Sequence, residues 1–390
     1  MKSIAIIISK LNGGGAERNA ANLSIILSKY YNVHLIVFDG KNITYPYEGM
    51  LHDLKMPPRK NKLLNFYNRV MAVRKIKKEY SIFASISLMD GANLTNVFSK
   101  INDKIITSIR INMSEARKKY KIMNYFIMKL IASKSDYIVT VSKDVEDDLV
   151  RNFKVTKDKV ITIYNSINTL YFNSLYDKFF DNKRYKKNKN FVISTMGRLE
   201  YQKGHWHLIR AMKEIIAKYP FVKLDIYGEG GLEQQLKELA KNSGVSQSVS
   251  FKGYVKNPHI ELVKSDLFVF PSLFEGLGNA LLEIMACGIP CIATDCHSGT
   301  REIFDDDFVV RERLKSVEYL RYGVLVSVDK SYIFDADAPL TYAEKQLVDS
   351  ISRFIEDKKL YEYYSQKVIE RAADFSYDNI SKQWKSIIND

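Results

Sequence analysis

The chain has 390 residues, 46% apolar and 27% charged, with a net charge of +14. That is the composition of a soluble globular protein long enough for two domains with full cores. No window is apolar and uncharged for long enough to span a bilayer, and three cysteines crowded into one stretch (Cys287, Cys291, Cys296) make no disulfide framework. A cytoplasmic protein is expected.

The charge is uneven. Residues 1–184 carry 31 Lys and Arg against 16 Asp and Glu, whereas the remainder carries 28 against 29. A basic first half calls for an anionic partner there, whether acidic lipid, a phosphorylated acceptor or nucleic acid, unless the parent proteome is lysine-rich throughout.

Apolar runs of strand length alternate with helical patterns almost from end to end, the signature of α/β units on parallel sheets. Met1-Lys2-Ser3 leads into Ile4–Ile8, which runs directly into Lys10 and a glycine turn and so reads as a first strand rather than a leader. Further strands are predicted over 33–38, 82–87, 105–109, 137–141 and 160–164, then over 191–195, 223–227, 249–252, 267–270, 290–294 and 322–326. Tyr171 to Asn190 is polar, aromatic and without clear period, and reads as a linker. The expectation is two doubly wound, Rossmann-like domains facing each other across a cleft at the carboxyl ends of their strands.

The first strand ends at Ser9-Lys10-Leu11-Asn12-Gly13-Gly14-Gly15. Consecutive glycines before a helix bring backbone amides close to a ligand and favour a phosphate, although a glycine turn alone is weak evidence. Arg198 and Lys203 lie on the loop between the strand at 191–195 and a helical pattern beginning near Leu208. Arg offers a planar fork and Lys a mobile point charge, a pair suited to a diphosphate.

The stretch Pro271 to Glu283 follows another strand and opens another helix. Gly276 and Gly278 keep the loop open, and Asn279 is predicted to start a helix whose N-terminal amides suit a diphosphate. Glu283 lies four residues beyond Asn279, on the same face, where its carboxylate can accept from ribose hydroxyls. Glu275, before the helix, is left to face a sugar.

Other candidates read as structural. His205, His207 and His297 have no partner at a convincing spacing, and surface or half-buried positions are expected for them. The cysteines pack as small hydrophobes. Asp335-Ala336-Asp337 resembles a metal-binding acidic pair but sits in a polar insertion before Pro339, not at a strand end. Lys62 to Lys78 and Arg117 to Ile131 interleave apolar and basic residues at helical spacing. The second is read as a helix resting on an anionic membrane, with Lys118, Lys119, Lys121 and Lys129 towards head groups and Tyr125, Phe126 and Met128 inserted.

Together these residues resemble the retaining family-4 glycosyltransferases of the GT-B fold. The resemblance runs from the Gly13-Gly14-Gly15 turn through Gly197-Arg198…Lys203-Gly204, Tyr227-Gly228-Glu229-Gly230 and the Glu275…Glu283 pair to a returning C-terminal helix. It implies an acceptor-binding domain over 1–170, a linker over 171–190, a nucleotide-sugar domain over 191–374 and a helix over 375–390 packing back on the first domain. It also implies that Gly14, Gly15, Arg198 and Lys203 hold the diphosphate, Glu283 the ribose, and that Tyr254 and Val255 border the base. Glu275 with the backbone of Gly276, Leu277 and Gly278 would hold the donor sugar, and Asn279 and Ala280 belong to the same nucleotide-sugar site. Glu275, Arg198 and Lys203 would carry the chemistry.

The implied reaction moves a hexose or N-acetylhexosamine from a UDP-linked donor to a lipid-linked saccharide of bacterial surface-glycan synthesis (capsule or O-antigen type). It proceeds with retention and without metal or other cofactor, on the inner face of the plasma membrane and without nucleic acid. Many members carry a His in the first domain where Thr107-Ser108-Ile109-Arg110-Ile111-Asn112 stands here, which puts Arg110 and Asn112 on the acceptor side. A sugar-nucleotide epimerase on the same fold, and a non-catalytic glycan- or nucleic-acid-binding homologue, are the rival readings.

Overall fold

The computed structural model describes residues 1–58, 60–116, 121–180, 190–296, 299–307 and 314–390. They divide into two compact units, Met1–Ile167 with Ser376–Asp390, and Asn168–Phe375.

The first unit contains β1 (Ser3–Ile8), α1 (Gly15–Ser28), β2 (Asn32–Val37), β3 (Met50–Asp53), α2 (Lys62–Glu79), β4 (Ala84–Leu88) and α3 (Asp90–Phe98). It continues with β5 (Lys104–Ile109), α4 (Met113–Ala116), α5 (Lys121–Lys134), β6 (Tyr137–Thr140), α6 (Lys143–Phe153) and β7 (Val160–Thr162). The second unit contains α7 (Thr169–Phe180), β8 (Phe191–Met196), α8 (His205–Lys218), β9 (Val222–Tyr227), α9 (Glu233–Asn242), β10 (Val249–Gly253), α10 (His259–Leu262) and β11 (Leu267–Phe270). After these come α11 (Asn279–Ala286), β12 (Cys291–Thr294), α12 (Thr300–Phe304), β13 (Glu318–Tyr319), β14 (Val324–Val326), α13 (Tyr342–Glu356) and α14 (Lys358–Ala372). The last helix, α15 (Tyr377–Asn389), belongs to the first unit.

Each unit is a seven-stranded sheet, ordered β3-β2-β1-β4-β5-β6-β7 and β10-β9-β8-β11-β12-β14-β13. All pairings are parallel except β13 with β14. Strands covered on both faces need apolar side chains at every position, which is why Ile4-Ala5-Ile6-Ile7-Ile8 shows no alternation and is wholly buried. In α15, Ile380, Trp384, Ile387 and Ile388 are spaced to share one helical face and complete the core of the first unit against β1, β2 and α1. Ser376 caps that helix through the N–H of Asn379.

Three elements differ from the sequence reading. β3 was not expected: Met50-Leu51-His52-Asp53 is too short and polar to signal a strand, and it forms as a half-exposed edge on β2, where His52 Nε2 lies 3.0 Å from His34 Nδ1. β13 is a two-residue antiparallel edge. The expected linker is instead a helix over its first part. Phe172, Leu175, Tyr176 and Phe179 recur at helical spacing, Phe172 and Leu175 are buried, and α7 packs on α11 in the second unit. Residues 181–189 of that segment lie outside the described residues.

One buried ion pair ties α2 to the sheet of the first unit. Lys77 Nζ lies 2.8 Å from Asp103 Oδ2, both side chains fully buried, and donates to Asn96 Oδ1 at 2.7 Å. The Ser85 hydroxyl donates to the same Asp103 oxygen at 2.6 Å. Burial outweighs the partner and lowers the Lys77 pKa to about 8. Lys77→Ala would strand the Asp103 carboxylate in the core and should cost about 3–5 kcal/mol in urea unfolding. A loss below about 1 kcal/mol would show that the carboxylate finds another partner.

Candidate functional site

In the second unit the strand order reverses between β8 and β11, with β9 and β10 to one side and β12, β14 and β13 to the other. The crevice beyond the carboxyl ends at such a reversal is where open parallel sheets bind ligands. The two loops leaving these strands, 197–204 and 271–278, are the ones the sequence singles out, and hydrogen bonds stitch them together. Leu273 N–H donates to Gln202 O at 2.8 Å, and Gln202 Nε2 donates to Phe274 O at 2.9 Å.

That stitching brings Lys203 Nζ within 2.5 Å of Glu275 Oε1, with both side chains largely buried. The Lys203 ammonium also stands 5.0 Å above the Phe270 ring. Gly204 turns the first loop with φ +60°, and a Cβ there would collide with Pro271 O. Gly278, φ +81°, caps α11, and Asn279 and Ala280 are its first two residues. Leu277 is buried behind them, and Gly276 O accepts from Gly299 N–H at 3.2 Å. Arg198 stays at the exposed tip of its loop, 3.4 Å from Glu200 Oε1.

Glu283 is buried one turn into α11, its Oε2 2.7 Å from His259 Nε2 on α10. The His259 ring meets Phe172 of α7 edge-on at 4.9 Å. Nothing in Pro258-His259-Ile260-Glu261 marks that histidine by spacing; α10 and α11 come together only in the fold. The third loop follows β9. Gly228 has φ +129°, and a Cβ on it would collide with Gly197 O, so the two backbones run in contact. Glu229 Oε1 accepts from the N–H of Tyr254 at 3.1 Å, which sets the exposed Tyr254 and half-buried Val255 beside this loop at the end of β10.

The histidines differ from expectation. His205 and His207 are buried because both lie on the first turn of α8, packed under the loops. Desolvation, then the Lys203 charge, holds the His205 pKa down to about 3, so its ring is neutral. His207 Nδ1 lies 2.8 Å from Glu344 Oε1, which also accepts from Arg210 Nε at 2.9 Å. This network anchors the insertion that carries Asp335 and Asp337, where Lys213 Nζ lies 3.4 Å from Asp337 Oδ1 at the surface. His297 lies outside the described residues. All three cysteines are buried and unbridged.

In the first unit the reversal falls between β1 and β4. Gly14 is the N-cap of α1 and Gly15 its first residue. The carboxylate of Glu17 folds back over Gly14, occupying the space a Cβ would take. The other loop holds Met89 at φ +76°, ψ 153°, a conformation costly for a bulky side chain and one that sequence reasoning missed. Arg110 leaves β5, donating to Ser108 Oγ at 3.2 Å and to Asn165 Oδ1. Asn112 is buried just before α4.

His259→Phe keeps an aromatic ring beside Phe172 but removes a donor from a buried carboxylate. It should cost about 1–3 kcal/mol of stability, with part recovered in His259→Gln; equal chemical denaturation of all three proteins would show that the pair carries no weight.

Two family models match the chain: Glycosyltransferase Family 4 over residues 13–170 and Glycosyl transferases group 1 over residues 177–315. An uncharacterized glycosyltransferase of Methanocaldococcus jannaschii is 32% identical over 84% of this chain and 85% of its own length. The N-acetylgalactosamine-N,N'-diacetylbacillosaminyl-diphospho-undecaprenol 4-alpha-N-acetylgalactosaminyltransferase of Campylobacter jejuni is 30% identical over 98% of both chains. Among solved structures, Anabaena HepE in complex with UDP superposes with a TM-score of 0.74 at 18% identity over 100% of both chains. Sucrose-phosphate synthase of Thermosynechococcus elongatus gives 0.76 at 16% identity over 100% of this chain and 98% of its own. With both family models matched, relatives named as glycosyltransferases over most of their length, and two doubly wound parallel-sheet units in common with these structures, the chain belongs to the family-4 glycosyltransferases and has the GT-B fold.

Proposed function

We propose that this glycosyltransferase moves a hexose or N-acetylhexosamine from a UDP-sugar to a lipid-linked saccharide, with retention and without a metal ion. The observation that carries the reading is the meeting of loops 197–204 and 271–278 at the β8/β11 reversal, which sets Lys203 against Glu275 at the mouth of α11. A donor diphosphate laid across the α11 N-terminus takes Lys203 from Glu275 and meets Arg198 at the loop tip. The two cations and the helix amides then stabilise the departing nucleotide electrostatically. Glu275, released, turns to the sugar, and Glu283 accepts from the ribose. The acceptor hydroxyl attacks from the leaving-group face, so no protein nucleophile takes part. A UDP-bound neighbour of the same fold and a relative named for a diphospho-undecaprenol acceptor support the choice of substrates.

The experiment is a release assay for UDP and GDP across a panel of nucleotide sugars with a membrane extract as acceptor. Lys203→Ala or Arg198→Ala should lower kcat about 100- to 1,000-fold, about 3–4 kcal/mol, and EDTA should leave the rate unchanged. Abolition by EDTA, with recovery in Mn²⁺, would overturn the metal-free mechanism. Isomerised nucleotide sugar as the product would point to the epimerase instead.

A lipid-linked acceptor lies at a membrane surface, and the first unit has the means to dock there. Among the described residues no helix is long and apolar enough to cross a membrane. Yet α2 exposes Leu63 (83%), Leu64, Tyr67 and Met71 among Lys and Arg, and α5 exposes Ile122 (76%), Met123, Phe126 and Leu130 beside Lys129 and Lys134. The expected inserting set changes accordingly: Met128 is fully buried in the unit, because it lies four residues from the equally buried Asn124 on the inward face of α5. Arg117, Lys118 and Lys119 lie outside the described residues. Replacing Ile122 and Phe126 by Ser should reduce flotation on anionic vesicles about tenfold or more, with affinity for free UDP unchanged. Flotation equal to that of the unaltered protein would remove α5 from the docking face.

A further inference from the structure

Arg110 is a cation without an acid. It follows β5 at the carboxyl edge of the first unit's sheet, and its guanidinium meets only neutral oxygens, Ser108 Oγ and Asn165 Oδ1. Asn165 is itself held from the far side by Asn19 Nδ2 of α1, at 3.0 Å. Three carboxylates of α6 are engaged elsewhere, Asp147 by Arg151. Asp148 takes the N–H groups of Met113 and Ser114 at 2.9 and 3.1 Å, and Glu146 pairs with Lys157 and accepts from Thr162. No Asp or Glu among the described residues lies within ion-pair distance of Arg110.

Arg110 is half-buried, as is Arg69, which donates to the carbonyl of Met56; the fully buried cations of the fold are given acids. Lys77 has Asp103, Arg210 has Glu344, and Arg301 has Asp295 and Glu318. Burial with nothing to offset it depresses the Arg110 pKa to about 9. A guanidinium with five donors and two neutral acceptors has capacity to spare for a planar or tetrahedral oxyanion. Its place, one strand from the β1/β4 reversal and on the same carboxyl edge as Gly14 and the strained Met89, is that of a ligand group rather than a lattice of structural contacts.

We propose that Arg110, oriented by Ser108 and Asn165, forms an oxyanion subsite in the first unit that binds a phosphate or diphosphate group of a substrate. The diphosphate comes either from the lipid-linked acceptor or from the donor; assigning it to the acceptor rests on the function proposed above.

Calorimetry with inorganic pyrophosphate tests the subsite itself, using the full-length Arg198→Ala/Lys203→Ala protein so that the second unit's cations are silent. Binding should persist in that protein and weaken at least tenfold on adding Arg110→Gln, while Arg110→Lys retains part of it. The unfolding temperature of Arg110→Gln should be unchanged or higher, since an unpaired desolvated charge has been removed. Absence of pyrophosphate binding with Arg110 intact, or a lower unfolding temperature with binding unaltered, would overturn the subsite and leave Arg110 a structural residue. In the otherwise unaltered enzyme, Arg110→Gln should raise KM for a lipid-diphosphate acceptor at least tenfold with donor KM within twofold. A rise confined to donor KM overturns the acceptor assignment alone, and failure of lipid-linked acceptors with every variant overturns the proposed function while the pyrophosphate result stands.

Discussion

Parallel pairing is the constraint on which the rest of this chain depends. A parallel strand needs a crossover to return to its starting edge, and most crossovers here are helices, the β2-to-β3 connection being a loop. The parallel strands of each sheet therefore all end on one edge, and the crevice for a ligand on that edge lies where the strand order reverses. Both units have such a reversal, at β1/β4 and at β8/β11. Some of the residues with positive φ lie on the loops at or beside these reversals: Gly204, Gly228 and Gly278 in one unit, Met89 in the other. The fold thus decides where chemistry can occur before any side chain decides which chemistry it is.

What fills the two crevices differs. In the second unit the Lys203 charge is paired with Glu275, and the Glu283 carboxylate meets the His259 ring. A buried pair of this kind is neutral as a unit and stable without ligand, yet each partner can be drawn to a substrate of opposite character, a phosphate for the lysine and hydroxyls for the carboxylate. The pair holds the site in shape when empty. In the first unit the cation stands alone and the α1 N-terminus is covered by the Glu17 carboxylate, so the helix end to which the glycine turn points is already facing an acid. A phosphate approaching Gly14 must displace that carboxylate; one approaching Arg110 need displace nothing charged.

Local pattern made much of this legible. Twelve of the fourteen strands among the described residues are legible because buried parallel strands are continuous apolar runs, and the start of α11 at Asn279 follows from the glycines before it. The meeting of the β8 and β11 loops was implied by the order of motifs but carried by tertiary bonds such as Leu273 to Gln202. Features that depend on packing alone were not visible. β3 and β13 take their strand character from a neighbour, not from their own residues. In α7 a helical period was hidden among Asn, Tyr and Lys. His259 gave no signal because its partner lies 24 residues away on another helix, and the Met89 strain because side-chain identity does not announce a positive φ.

The mistaken assignment of Met128 to a membrane-facing surface shows the same limit at one residue. Apolar and basic side chains alternating at helical spacing say that a helix has two faces, but not which of its apolar residues serve the core. In α5 the core takes Asn124, Met128 and Ile131, leaving Ile122, Met123, Phe126 and Leu130 outside. That exposure is unusual for a helix whose inward face already includes a buried polar residue. A polar Asn turned inward and a Phe turned outward is the reverse of what burial alone would select, so the outward apolar set answers to something beyond the stability of the unit. The exposed apolar residues of α2 belong to the same unit and stand among Lys62, Arg69, Arg74, Lys75 and Lys78.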